Sequence, residues 1–266
     1  LAFFAANDGY GTELWRTDGT QGGTFLVADL APGQASSSPA DFVALGPVLF
    51  FTADARGMGR EPWRSDGTAA GTWPLGDLVP GGLGSSVTSP VAFAGLIFFV
   101  AHFDAFGQQI WITDGTAAGT RPLFPTAAMN PSFDPRDLTV VGNRFFFSAS
   151  DLAHGRELWS SDGTVGGTQF VADLHAGNAG SAPHAFRASG NRVFFLADLA
   201  AGDTELFVSD GTAAGTHLTL DIRPGGVGSA IGYLAPLAGA LAFRADDGVH
   251  GAEPWFSDGT AGGTRM

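Results

Sequence analysis

Cysteine is absent from this chain, which excludes disulfides and thiolate metal sites. The redox compartment stays open, because many secreted bacterial proteins also lack the residue. Basic residues are scarce: 13, every one an arginine, against 26 acidic residues and a net charge of −13. Scattered arginines on an acidic chain form no stripe that could neutralise phosphates, so nucleic acid is not an expected partner. Tyrosine occurs only at Tyr10 and Tyr233. No apolar run is long enough to cross a bilayer. The longest, Val91 to Ala101, reads as two strands meeting at Ala94-Gly95, and no membrane insertion is expected. Helical periodicity is missing throughout. The first residue, Leu1, lies inside a strand pattern, so the chain is expected to be processed or trimmed, with any signal peptide outside it.

What is present is a repeat. Trp15, Trp63, Trp111 and Trp159 are spaced 48 residues apart, with Phe207 and Trp255 continuing the column. Asp-Gly-Thr follows each time, beginning at Asp18, Asp66, Asp114, Asp162, Asp210 and Asp258, and a Gly-Thr pair follows that. A fixed period in this range overrides local readings, because each copy is one supersecondary unit. Gly 40 and Pro 15 supply many tight turns, and 44% hydrophobic residues with 23 Phe supply a core.

One copy shows the unit. Residues 41–45 and 48–53 read as strands joined at Gly46-Pro47, 61–65 as a third strand, and Gly71 to Leu78 as a fourth. Asp66-Gly67 is a strong hairpin signal, since glycine accepts positive φ and aspartate bonds its own backbone. Val79 to Thr88, rich in Pro, Gly and Ser, links to the next copy. Four antiparallel strands per copy predict an all-β β-propeller of six blades. It forms a single domain over 1–266, with units near 1–40, 41–88, 89–136, 137–184, 185–232 and 233–266. Six copies of 48 would make 288 residues and the chain has 266, so five blades, or part of a larger ring, stay open as alternatives.

The run Glu13-Leu14-Trp15-Arg16-Thr17-Asp18-Gly19-Thr20, repeated in full from Glu157 to Thr164, resembles the ELWxxDGT repeat of large bacterial extracellular proteins. The resemblance covers the whole chain. It implies a propeller-like fold and a secreted or cell-surface location in a bacterium, and it implies no defined activity.

The repeated residues read as structural. The Trp15, Trp63, Trp111, Trp159, Phe207 and Trp255 column reads as packing between blades. Each Asp-Gly-Thr aspartate (Asp18, Asp66, Asp114, Asp162, Asp210, Asp258) caps its turn. The alternative, Ca²⁺ ligation, needs several carboxylates together where each turn offers one, so no cofactor is expected beyond that possibility. The Glu13, Glu61, Glu157, Glu205 and Glu253 column reads as a salt bridge or a bond to loop amides.

Enzyme readings find little support. Six-bladed sialidases repeat a similar Ser/Asp/Gly/Thr box at this turn, but neither tyrosine has an evident Glu partner. A glycosidase needs one carboxylate pair set apart by environment. No nucleophile elbow is present, and the six His show no metal-ligand spacing.

Variation between copies points to binding. The loop between second and third strands reads Tyr10, Met58, Phe106, His154, Gly202, His250 down one column, with Arg60, His102, Phe103 and Arg156 beside it. Exposed aromatics and histidines serve sugar and peptide recognition. The expected function is a non-catalytic, lectin-like or adhesin module that recognises a glycan or a surface protein. A structural or self-assembly module of a larger surface protein is the alternative, with possible self-association. The third unit departs most, with Gln109, Arg121-Pro122-Leu123-Phe124-Pro125 and an altered crossover from Ala128 to Pro135.

Overall fold

The computed structural model describes the chain except residues 56, 104, 105, 127–129 and 131. The altered crossover from Ala128 therefore falls partly outside the described residues. Six antiparallel sheets follow one another, one per repeat. The first holds Ala2–Asn7, Thr12–Thr17 and Phe25–Ala28, which are the second, third and fourth strands of the repeat. The second sheet holds Ala40–Leu45, Val48–Asp54, Arg60–Ser65 and Trp73–Pro74. The third holds Thr88–Phe93, Leu96–His102, Gln108–Thr113 and Arg121–Pro122. The fourth holds Arg136–Val141, Arg144–Asp151, Gly155–Ser161 and Gln169–Ala172. The fifth holds His184–Ser189, Arg192–Asp198, Thr204–Ser209 and His217–Leu220. The sixth holds Gly232–Leu237, Ala240–Asp246 and Ala252–Ser257, extended by a single bridge from Phe256 to Arg265. Strands pair in chain order within every sheet. The sheets fall into two compact units, Leu1–Pro131 and Ser132–Met266, each with three sheets.

In the second to fifth sheets the second strand is buried on both faces, as its continuous apolar run dictates. Phe51, Phe99, Phe147 and Phe195 occupy the same place, fully buried, and two residues on stand Ala53, Ala101, Ala149 and Ala197, equally buried. The two-residue step places both columns on one face. Within each unit the later sheets pack this face against the sheet before them. In the first unit Phe51 and Trp63 join Leu14, Val27 and Leu30 of the first sheet, and Phe99 and Trp111 join Phe50 and Leu75 of the second. In the second unit Phe195 and Phe207 join Phe146, Leu158 and Val171, while Phe243 joins Phe194, Leu206 and Ile222.

The fourth strand departs from the reading of Gly71 to Leu78 as one strand. In the second and third sheets it is two residues long, because Pro74 and Pro122 have no N–H with which to extend the ladder. Where leucine or phenylalanine takes that place it runs for four residues.

The first strand carries a bulge in all five copies, where the register slips between Ala40 and Val43 and at the matching places. Asp41, Ser89, Asp137, Ala185 and Tyr233 sit there with φ of 51° to 61°. None is glycine, and left-handed backbone costs such residues about 1–2 kcal/mol each. The bulge therefore belongs to the repeat rather than to any one copy.

Candidate functional site

Every sheet has two ends of different character. At one end stands the Asp-Gly-Thr turn, built the same way six times. Thr20 donates its N–H and its O–H to Asp18 Oδ1 (2.9 and 2.7 Å), Gly23 N–H donates to Thr20 Oγ1 (2.9 Å), and Thr24 O–H donates to the Thr20 carbonyl (2.7 Å). The same bonds recur at Asp66, Asp114, Asp162, Asp210 and Asp258. These threonine bonds hold all six carboxyls below the ordinary aspartate value. A Cβ on Gly23, Gly71, Gly119, Gly167, Gly215 or Gly263 would overlap the turn's own carboxylate, which explains why the Gly-Thr pair never varies. Among the described residues no three His, Asp or Glu side chains gather as a metal ion would need.

At the other end the loop between second and third strands lies against the crossover to the next sheet. A Cβ on Gly59 would strike the backbone of Gly84, and one on Gly155 the backbone of Asn178 and Gly180. The Glu column locks this end from inside. Glu13 accepts the N–H groups of Leu30 and Ser37 (both 2.9 Å) and the Ser37 hydroxyl (2.6 Å). Glu157 and Glu205 repeat the pattern with Leu174 and Ser181, and with Ile222 and Ser229, and Glu61 accepts from Leu78. Burial pushes the carboxyls of Glu61, Glu157 and Glu205 up, and the serine hydroxyl bonds partly offset it. The third repeat replaces this polar lock by a linked pair of changes. Gln109 donates to the carbonyls of Phe106 and Asn130, and the serine place is taken by Phe133, which packs on Phe147 and Trp159.

The residues singled out for binding all belong to this loop end, and their roles divide. Arg60 is spent internally on Thr52 Oγ1 (2.8 Å) and the Ser38 carbonyl (2.6 Å), and Arg156 on the Asp134 carboxylate and carbonyl. Met58 packs onto the core shared by the first two sheets. Phe103 stacks on Phe106 (5.8 Å) and meets Trp111 edge-on (5.4 Å). His102 is half-buried. Tyr10 is 69% exposed. His154 and His250 stand in matching loops, where Asp151 and Asp247 each accept the histidine's backbone N–H and meet its Nδ1. These carboxylate bonds raise both imidazoles above their ordinary value. His154 also stacks on Phe170, ring centres 4.5 Å apart.

Sequence reading passed over four further residues at this end. Leu83 and Val227 on crossovers, and Leu152 and Val249 on second-to-third loops, are exposed aliphatics. Their signal was local: Gly82-Leu83-Gly84 and Gly226-Val227-Gly228 place a lone apolar residue between glycines in a turn.

No family model matches the sequence, and no curated protein does. Among solved structures the chain is similar to puromycin hydrolase, with a TM-score of 0.61 and 14% identity over 99% of this chain and 42% of that one. It is similar to a puromycin-hydrolyzing peptidase of Mycobacterium tuberculosis (TM-score 0.56, 13% identity, 100% of this chain and 43% of that one). It also matches one of two prolyl endopeptidases analysed for inter-domain dynamics (TM-score 0.56, 14% identity, 99% and 38%). The chain thus spans well under half of each of these proteins. At such identities the likeness is one of fold alone: an all-β arrangement of six antiparallel sheets.

Proposed function

We propose that this chain is a non-catalytic, extracellular binding module, a closed six-bladed ring of the ELWxxDGT repeat type that meets its partner with the loop ends of its sheets. One observation carries the reading. Each repeat is held by the same Asp-Gly-Thr turn, and the glutamate bonds recur at Glu13, Glu61, Glu157 and Glu205, while the second-to-third loops differ from copy to copy and present Tyr10, His154 and His250. Binding residues carried on loops over a rigid scaffold are a common arrangement. Lectin-like recognition suits these three, since a tyrosine ring offers a stacking face and an imidazole held by aspartate offers a polar edge.

A second reading, docking to a protein surface within a larger assembly, is favoured by the exposed aliphatic tips Leu83, Leu152, Val227 and Val249. A glycan-array screen of the chain, with and without a Ca²⁺ chelator, separates the two. Binding to one sugar class that is lost in Tyr10→Ala and His154→Ala supports the lectin-like reading. A blank from folded protein overturns it and moves the function to assembly. Loss on chelation alone would show that binding requires a divalent cation.

A further inference from the structure

The seam between neighbouring sheets at the Asp-Gly-Thr end takes three forms within the two compact units. Between the second and third sheets it is apolar: Leu45 and Val48 lie 3.7 Å from where a Cβ on Gly115 would stand, and no room is left for a water-sized group. Between the fifth and sixth sheets it is clasped. Arg192 donates to the carbonyls of Gly239 and Asp258 (both 2.7 Å), and Ser189 donates to that of Ala240 (2.7 Å). Between the fourth and fifth sheets it is open. Arg144, in the same column as Arg192, donates among the described residues to the Gly211 carbonyl alone (3.2 Å), and a cavity of about 420 Å³ remains. Ligand sites commonly occupy roughly 300–1,000 Å³.

The cavity is lined by Asn143, Arg144, Asn191 and Asp210 above Val141 and Phe146. The first Asn-Arg pair follows Gly142 and the second follows Gly190, so Gly-Asn-Arg occurs in the fourth and fifth repeats, whereas the second and third have Gly-Pro-Val and Ala-Gly-Leu. Asp210 commits Oδ1 to Thr212, and Asn143 and Asn191 are exposed side chains. One guanidinium and one carboxylate cancel, so no ion of either sign is favoured. An anion would also meet the net charge of −13. Two amides, each donor and acceptor, beside a carboxylate that only accepts and a guanidinium that only donates, match vicinal hydroxyls. Val141 and Phe146 close the base of the cavity from the core, with nearly all of their own surface buried.

We propose that the cavity between Gly142–Arg144, Asn191 and Asp210 binds a neutral pyranose unit. It lies at the end of the sheets opposite the variable loops and shares with the loop reading only a ligand class.

The test is an amide-resolved NMR titration of the ¹⁵N-labelled chain with methyl α-D-mannopyranoside, methyl β-D-galactopyranoside and N-acetylglucosamine, with acetate as the charged control. The expected result is saturable shifts at Gly142, Asn143, Asn191 and Gly211 for at least one sugar and none for acetate. Asn143→Ala and Asn191→Ala, both exposed changes that keep the spectrum dispersed, should each weaken binding about tenfold, one hydrogen bond's worth. A response at these residues alone supports the cavity and counts against the loop reading. A response confined to the Tyr10, His154 and His250 loops overturns the cavity and supports the loops. A blank with all three sugars, or affinity unchanged in both asparagine variants, overturns it as well.

Discussion

His154 and His250 show how one local pattern, Asp-x-x-His, sets a side chain and its charge together. The aspartate accepts the histidine's backbone N–H and faces its Nδ1, so the ring is oriented and its protonated form favoured. Both imidazoles should titrate above the ordinary value of about 6.5 when followed by ring-proton NMR, and Asp151→Asn and Asp247→Asn should return them to it. The sign follows from the raised value. Any stabilisation from these pairs is complete below the unfolded histidine's pKa and is lost as pH rises through the raised folded one. The tryptophan column carries a different lesson. Indole Nε1 of Trp15, Trp63, Trp111, Trp159 and Trp255 is buried without an acceptor among the described residues, so the ring is used for its area and not for its polar handle. Phe207 in the fifth repeat therefore gives up a donor that its counterparts leave unused. Trp63→Phe shortens a fully buried ring system and should cost about 1–3 kcal/mol in denaturant unfolding. Trp63→Ala should cost about 3–5 kcal/mol, the range for emptying an aromatic site.

At the level of the strand and its crossover, the glutamate lock does what no pairing of strands does: it ties the chain's exit from one sheet to the third strand of that sheet. Glu157 takes three donors from Leu174 and Ser181, all in the crossover region. Its truncation strands buried donors, at about 1–3 kcal/mol. Glu157→Ala should lower the unfolding midpoint accordingly, and hydrogen exchange should quicken at the amides of Leu174 and Ser181 first. An unchanged exchange rate there would show that the crossover is held by packing alone. In the third repeat both members of the lock differ, with Gln109 in the glutamate place and Phe133 in the serine place. The apolar Phe133 place is then filled at ring contacts of 5.2 and 5.9 Å. The two-residue fourth strands follow a simpler rule, the missing N–H of Pro74 and Pro122.

For the whole molecule, the closed ring proposed above has a measurable size. A 266-residue chain folded as one compact body has a radius of gyration of about 18 Å. Small-angle X-ray scattering at that value supports closure, and a clearly larger radius would favour the open or larger-ring alternatives. The sequence by itself determined the six-fold repeat, the all-β class and the hairpin order. Those depend on local chemistry: glycines at positive φ, Asp-Gly turns and apolar runs matched to strand length. It also carried the turn's composition, because Asp18, Thr20, Gly23 and Thr24 bond within seven residues. Only the tertiary structure decided which variable-loop residues are free. Arg60 and Arg156 stand beside the Tyr10 column in the sequence, yet their guanidiniums close on carbonyls 22 residues away. It alone separated the open seam at Arg144 from the clasped one at Arg192, since identical Gly-Asn-Arg turns differ only in what the next sheet places opposite them. A side chain's availability is set by partners brought close through packing, and a repeat pattern records the position of a residue but not the distance to those partners.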